Sequence, residues 1–390
     1  MNIRTLTSFS ILVLLLACPL LHGAELKVRV ATFNTSLNRP QAGQLREELL
    51  RGDCLQAQQV AEVLQRVRPD IVLLNEVDYD STGQVAASLI KTYLGQSQHG
   101  QMPLNFTYSF LAPVNTGVPS GIDLDGNGQT DGSGDDFGFG RFPGQYGMLI
   151  LSRFKIDQAA ARTFQNLLWK EMPQARLPTD PKTGASFYSA EALKVFRLSS
   201  KSHWDVPIQI QSQTLHLLAS HPTPPVFDGP EDRNGCRNHD EIRFWADFLG
   251  SRQASYLVDD NGQRGGLPRR AAFIILGDLN SDPHDGDSVP GAVDQLLMHP
   301  RVNNGQTPGS KGAAAFATAG RNARHRGPAA QDTADFPDSN PGNLRVDYVL
   351  PSRNLKTMSS GVFWPTAAEP GAELLTVSDH RLVWIDILLK

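Results

Sequence analysis

The sequence predicts an α/β protein whose apolar strands end in the parts of one site. Two observations lead there. Leu26 to Phe33 alternates apolar and polar residues; Leu55, Val60, Val63, Leu64 and Val67 then recur at helical spacing, and the apolar run Ile71 to Leu74 follows, a strand, helix, strand unit. Five strand-like stretches, spread along the chain, close on a carboxylate, carboxamide or imidazole. These are Asn34, Asn75-Glu76, His221, Asp278-Leu279-Asn280 with Asp282, and Asp379-His380. Polar residues at the ends of apolar strands are how a rigid sheet presents a site. Parts drawn from both ends of the chain imply one domain over residues 25–390, with insertions.

Asp53 offers an N-cap to the first helix, and Arg68-Pro69-Asp70 stops it. From Gly95 to Gln145 the sequence loosens into Gly, Pro, Asn and Asp, an insertion centred on residues 115–145; long loops in compact domains are usually functional or disordered. Tyr146–Leu151, Lys194–Leu198, Pro207–Ile210, Leu215–Ala219, Ala272–Leu276, Arg345–Leu350 and Leu382–Leu388 read as strands. Helical spacing returns at Ile242, Trp245, Phe248 and Leu249. Gln295 to Gln331 is free of acidic residues and carries Arg301, Lys311, Arg321, Arg324 and Arg326; it reads as a solvated loop. So does Ser199 to Asp205, although Lys201 or His203 there has the reach to meet a substrate.

The formal net charge of −4 gives no support to a dedicated nucleic-acid-binding protein. Residues 1–24 join Arg4 to the apolar run Ile11–Ala17 and the small pair Gly23-Ala24, a secretory signal pattern too short for a spanning helix. Cleavage near Ala24 releases a soluble periplasmic or extracellular protein. Leu15-Leu16-Ala17-Cys18 resembles a lipobox, the alternative that leaves Cys18 lipidated at a membrane surface. A monomer with no spanning segment is expected. Cys54 and Cys236 then remain, either bridged or as two separate thiols.

Glu76, Asp278 and Asp379 are hard oxygen donors, the ligands Mg²⁺ or Mn²⁺ prefers. Asn34 and Asn280 add amides able to ligate or to hold a phosphoryl oxygen. His221 and His380 titrate near neutrality, as proton transfer around water requires, and Asp347 is placed to hold one imidazole in the needed tautomer. Each signal alone has a bland reading as cap, turn or structural histidine. Their order and types together point to a divalent-metal hydrolytic centre.

Those motifs resemble the endonuclease/exonuclease/phosphatase superfamily, which includes deoxyribonucleases, apurinic endonucleases, sphingomyelinases and inositol-phosphate phosphatases. Asn34 matches its first-strand Asn, Glu76 its metal-ligating Glu, Gly277-Asp278-Leu279-Asn280 its GD-x-N element, Asp347 its penultimate-strand Asp, and Ser378-Asp379-His380 its terminal S-D-H. The resemblance implies a two-sheet α/β sandwich of four layers, with helices on the outer faces and the site at one edge. It implies that Glu76, with Asn34 or Asp379, holds the metal, and that His380, oriented by Asp347, is the general base or a phosphate-binding imidazolium. Asp278 would position the attacking water, Asn280 a phosphoryl oxygen, and His221 would bind phosphate or protonate the leaving oxygen. The deoxyribonuclease branch orients this last histidine with a carboxylate where this chain has Gln145-Tyr146-Gly147.

Asp123, Asp125, Asn127 and Asp131 have the alternating oxygen spacing of a calcium loop, but position 12, Glu in an EF-hand, is Gly134. A structural Ca²⁺ and a mobile acidic loop both fit. The expected function is a nuclease-like phosphodiester hydrolase acting on nucleic acid, phospholipid or a small phosphate ester. A phosphomonoesterase or sphingomyelinase-type hydrolase is the nearest rival, and a calcium-dependent extracellular binding module the rival of another class.

Overall fold

The computed structural model describes residues 25–250 and 253–389; the signal segment, Cys18 and the alternative cleavage sites lie outside the described residues. The strands are β1 (Leu26–Asn34), β2 (Ile71–Asn75), β3 (Tyr108–Phe110), β4 (Met148–Ser152), β5 (Lys155–Ile156), β6 (Arg162–Thr163), β7 (His203–Ile210), β8 (Gln213–Ser220), β9 (Ala272–Asp278), β10 (Ala334–Asp335), β11 (Asn343–Leu344), β12 (Asp347–Pro351), β13 (Lys356–Val362) and β14 (Val383–Leu389). The helices used below are α1 (Gln44–Arg51), α2 (Leu55–Val67), α3 (Gln84–Ser88), α4 (Ala190–Val195) and α5 (Arg233–Leu249).

One sheet runs β13-β14-β1-β2-β4-β3 and the other β12-β9-β8-β7-β5, with β6 pairing β7. Side chains alternate across each strand, and the central strands β1, β2, β8 and β9 are covered on both faces. Val28 and Val30 of β1 meet Trp204, Leu217 and Ile274 of the second sheet, whereas Ala31 and Phe33 pack under α1 and α2. In the second sheet Ile274 and Leu276 face inward, and Phe273 and Ile275 pack against α5. Strands covered on both faces need no polar side, which explains the unbroken apolar runs at 71–74 and 272–276. The layers are helix, sheet, sheet, helix, the expected sandwich.

β1 and β2 are parallel with Asn34 beside Asn75, β8 and β9 are parallel, and antiparallel β12 sets Asp347 opposite Asp278. β14 runs antiparallel to β1 with Val383 opposite Thr32. The ends of β1, β2, β8 and β9 and the starts of β12 and β14 therefore share one edge.

Several local expectations change. The residue before α2 in cap position is Cys54, not Asp53, and makes no side-chain cap bond; Arg68 ends the helix at φ 56°. Residues 194–198 do not form a strand: Ser189 Oγ accepts from Ala192 N at 3.0 Å and starts α4 there. Ser199 to Asp205 is buried rather than solvated and leads into β7. Within the basic segment, the Arg301 guanidinium donates to the carbonyls of Leu249 and Pro268 and so ties loops together. Cys54 and Cys236 are separate free thiols.

Gly277, inside β9, has φ +143°, and a Cβ added there would stand 2.0 Å from Ser220 O on β8. Gly277→Ala should destabilise by about 2–5 kcal/mol through backbone strain and overlap. A urea denaturation midpoint equal to the parent's would contradict this.

Candidate active site

At the shared edge one carboxylate oxygen gathers three partners. Asp278 Oδ2 accepts from Asn34 Nδ2 at 3.1 Å, lies 3.4 Å from His221 Nε2 and 3.6 Å from His380 Nε2. Its other oxygen accepts from Asn280 N at 2.9 Å. The Asn34 amide also donates to Glu76 Oε1 at 3.1 Å, while its own oxygen accepts from Ser36 N. Asn34 thus bridges the carboxylates of the two sheets by its N–H groups. Glu76 and Asn280 both have left-handed backbones, φ 60° and 51°, a region that costs a non-glycine residue about 1–3 kcal/mol and clusters at functional sites.

The last motif is tied to the first. Ser378 Oγ donates to Asn34 O at 2.8 Å and accepts from His380 N at 3.1 Å. His380 Nδ1 bonds Asp347 Oδ2 at 2.9 Å, an oxygen that also accepts from Thr333 Oγ1 at 2.9 Å. Asp379 is exposed, and its carbonyl accepts from Asp335 N at 2.7 Å. The Asn280 amide donates to Pro222 O at 3.1 Å, fixing the backbone beside His221.

The two histidines are pushed in opposite directions. Burial works against charge on His380, but Asp347 and Asp278 outweigh it and raise the ring to about 10. Burial, Lys201 and His380 drive His221 well below the ordinary value. His221 Nδ1 has no hydrogen-bond partner, so the ring lacks the orienting carboxylate that the deoxyribonuclease branch supplies. Uncharged at neutral pH, it can donate a hydrogen bond but is no acid. Burial and the Asp347 charge raise Asp278 against the pull of His380. Glu76 is raised as well, chiefly by burial, with Asp278 adding to it.

Three contributors escaped the sequence reading or were set aside by it. Asn38 Nδ2 donates to Glu76 Oε2 at 2.8 Å; an Asn in a loop sends no signal. Lys201 is buried with its pKa lowered by that burial, and the Glu241, Glu76 and Asp278 charges surround it. Helix α5 carries Asn238, whose amide donates to the carbonyls of Thr223 and Leu279, and Glu241, which accepts from Ser200 N and Thr223 N. Charged residues on a helix read as solvent-facing, and only the burial of both its sides reverses that.

A divalent cation fits this donor set. Glu76 is a hard oxygen ligand raised by burial, so positive charge beside it relieves an existing cost. Ligand atoms of Asp278, Asp347 and His380 also lie within 4.8 Å of one another, but the Asp347–His380 hydrogen bond already occupies two of them. In the acidic insertion, carboxylate oxygens of Asp123, Asp125 and Asp135 lie within the same 4.8 Å. Asp131 is exposed and outside that group, and Asn127 turns its amide to Asp125 and its oxygen to Gln129 N.

The sequence matches the model of the Endonuclease/Exonuclease/phosphatase family over residues 31–380. The chain belongs to that family. Its members are generally divalent-metal-dependent phosphoesterases, which makes a phosphoric ester hydrolase the general assignment. Similar solved structures include an endonuclease/exonuclease/phosphatase from Beutenbergia cavernae, at 16% identity over 93% of this chain and 72% of that one, TM-score 0.50. Others are a family protein from Leptotrichia buccalis, at 15% identity over 92% and 99%, TM-score 0.45, and sphingomyelinase C from Streptomyces griseocarneus, at 14% over 92% and 99%, TM-score 0.46. No curated protein matched the sequence. Among the described residues no helix is long and apolar enough to cross a membrane.

With a folded pKa of about 10 against about 6.5 unfolded, the His380 charge stabilises the fold fully below the unfolded value and loses that effect as pH rises through the folded one. Asp347→Asn should move the His380 titration down toward the ordinary range, as followed by NMR of the ring protons. An unmoved titration would show that Asp347 is not its main partner.

Proposed function

We propose that this family member is a secreted, Mg²⁺- or Mn²⁺-dependent phosphodiesterase, nuclease-like, in which water attacks phosphorus directly. The carrying observation is the convergence of Asn34, His221 and His380 on Asp278 Oδ2 beside Glu76. The ion, held by Glu76, would draw charge from the phosphoryl oxygens. Asp278 accepts a proton from the attacking water, a role suited to a carboxylate whose pKa is raised toward neutrality. His380, kept cationic by Asp347 and Asp278, pairs with a phosphoryl oxygen. Neutral His221 orients a phosphoryl or leaving oxygen by hydrogen bonding, its charge disfavoured by burial and by Lys201. As water's oxygen bonds to phosphorus, the bond to the leaving oxygen breaks, and solvent supplies that oxygen's proton. Secretion rests on the signal pattern of residues 1–24, and a single copy of the chain holds every group named.

Hydrolysis of DNA, RNA, sphingomyelin and phosphomonoesters with Mg²⁺, Mn²⁺ and Ca²⁺ tests the reading. Activity on monoesters alone would overturn the diester assignment, and activity on none would favour a binding module. His380→Ala should lower kcat about 10²–10⁴-fold. Glu76→Gln should raise the half-saturating metal concentration at least about tenfold; an unchanged metal requirement would remove Glu76 from that role.

A further inference from the structure

Lys201 is 7% exposed, and among the described residues its Nζ has no hydrogen bond or ion pair. Its backbone is clamped. Lys201 O accepts from Asn115 N at 2.9 Å, Ser200 N donates to Glu241 Oε1 at 2.6 Å, and a Cβ at Gly138 would lie 2.1 Å from Ser200 O. In the β7–β8 pair His203 lies opposite Ser220, so continuing that register sets Ser202 beside His221 and Lys201 beside Pro222. Glu241 keeps the same alignment, since its two oxygens accept from Ser200 N and Thr223 N.

A buried amine without a partner is costly whether charged or not. Burial disfavours the charge on Lys201, and the Glu241, Glu76 and Asp278 carboxylates favour it. None of their oxygens is within ion-pair distance of Nζ, however, and both Glu241 oxygens are taken by backbone donors. A structural counter-ion would sit closer. What Lys201 lacks is an acceptor from outside the chain, at a point held rigidly beside His221 before any ligand arrives.

The strand order of the second sheet says which acceptor. Strands β12, β9, β8 and β7 bring Asp347, Asp278, His221 and Lys201 to the edge in turn. Direct displacement at phosphorus sets the attacking and leaving oxygens in line, on opposite sides. Asp278 takes the attacking water, and His380 with Asp347 fills the flank toward β12. The leaving oxygen then falls on the other flank. Lys201 starts two strands from Asp278, about 10 Å at the usual strand spacing, which is room for a phosphoryl group hydrogen-bonded at each end. We propose that Lys201 holds the leaving oxygen, a role that rests on the phosphodiesterase reading above. As the bond from phosphorus to that oxygen breaks and its electron pair stays on oxygen, Nζ donates a hydrogen bond to the developing charge, and solvent then supplies the proton. His221 is left to the phosphoryl oxygen.

The test compares two methyl aryl phosphodiesters on the full chain with Mg²⁺, one releasing 4-nitrophenolate and one the more basic phenolate. Lys201→Met should lower kcat about 10²- to 10³-fold on the phenyl ester and less than about tenfold on the nitrophenyl ester, whose leaving charge needs little help. Lys201→Arg should recover part of the phenyl rate. Equal losses on both esters, or no loss, would overturn the assignment. Inorganic phosphate with Mg²⁺ separates the contact from the reaction: by calorimetry Lys201→Met should weaken its binding about 10- to 150-fold. Unchanged affinity would overturn the contact even where the parent hydrolyses nothing. A parent inactive on every ester, whose phosphate affinity still falls in Lys201→Met, would sink the reaction and keep the contact. In the parent itself the Lys201 ε-methylene NMR signal should move as phosphate and Mg²⁺ are added; a fixed signal would overturn the contact without relying on any variant.

Discussion

The structure depends on bringing one buried carboxylate, at the end of a strand in one sheet, against an amide at the end of a strand in the other. Asp278 reaches Asn34 only because the sheets pack face to face with their strand ends aligned, and Asn34 passes the contact on to Glu76. A slip between sheets would break the Asn34–Asp278 contact and disturb the packing of a buried charge, which is costlier than losing the same contact at a surface. Gly277 lets β8 and β9 approach closely just before that carboxylate. Packing of the apolar interior and geometry of the site are thus one constraint.

Around that carboxylate the imidazoles divide the work by environment rather than by type. Both are buried, and burial alone favours neutrality in each. His380 overcomes it through a carboxylate on each ring nitrogen, one hydrogen-bonded at 2.9 Å and one at 3.6 Å. His221 has Asp278 on one side only, and Lys201 and His380 work against its charge, so the desolvation is not repaid. The chain thereby obtains a cation and a neutral donor from two identical side chains.

Much of this was legible in the sequence. The apolar runs located β1, β2, β8, β9, β12 and β14, and the polar residues closing them marked the site, because strand ends are where a two-sheet fold concentrates its polar groups. Other features depended on tertiary context. Residues 194–198 are apolar enough for a strand, but Ser189 caps a helix that takes in Lys194 and Val195 and ends at Phe196. Ser199 to Asp205 looked like a solvated loop because its polarity is local, whereas its burial comes from α5 and the insertion packing over it. His203 shows this: its Nε2 meets Glu241 O at 2.8 Å and its Nδ1 meets Ser199 Oγ at 2.6 Å, a structural histidine rather than a substrate contact.

Helix α5 shows why a site at strand ends needs support from beneath. Loops that leave a sheet lose their ladder partners, and a buried backbone group without a partner is costly. Arg237, Asn238 and Glu241 replace those partners, reaching the insertion at Phe137, the turn after His221 at Thr223, the turn after Asp278 at Leu279, and Ser200 beside Lys201. Positional accuracy at the site is therefore carried by a helix that contributes no reacting group, and substitutions there should act on several loops together rather than on one residue.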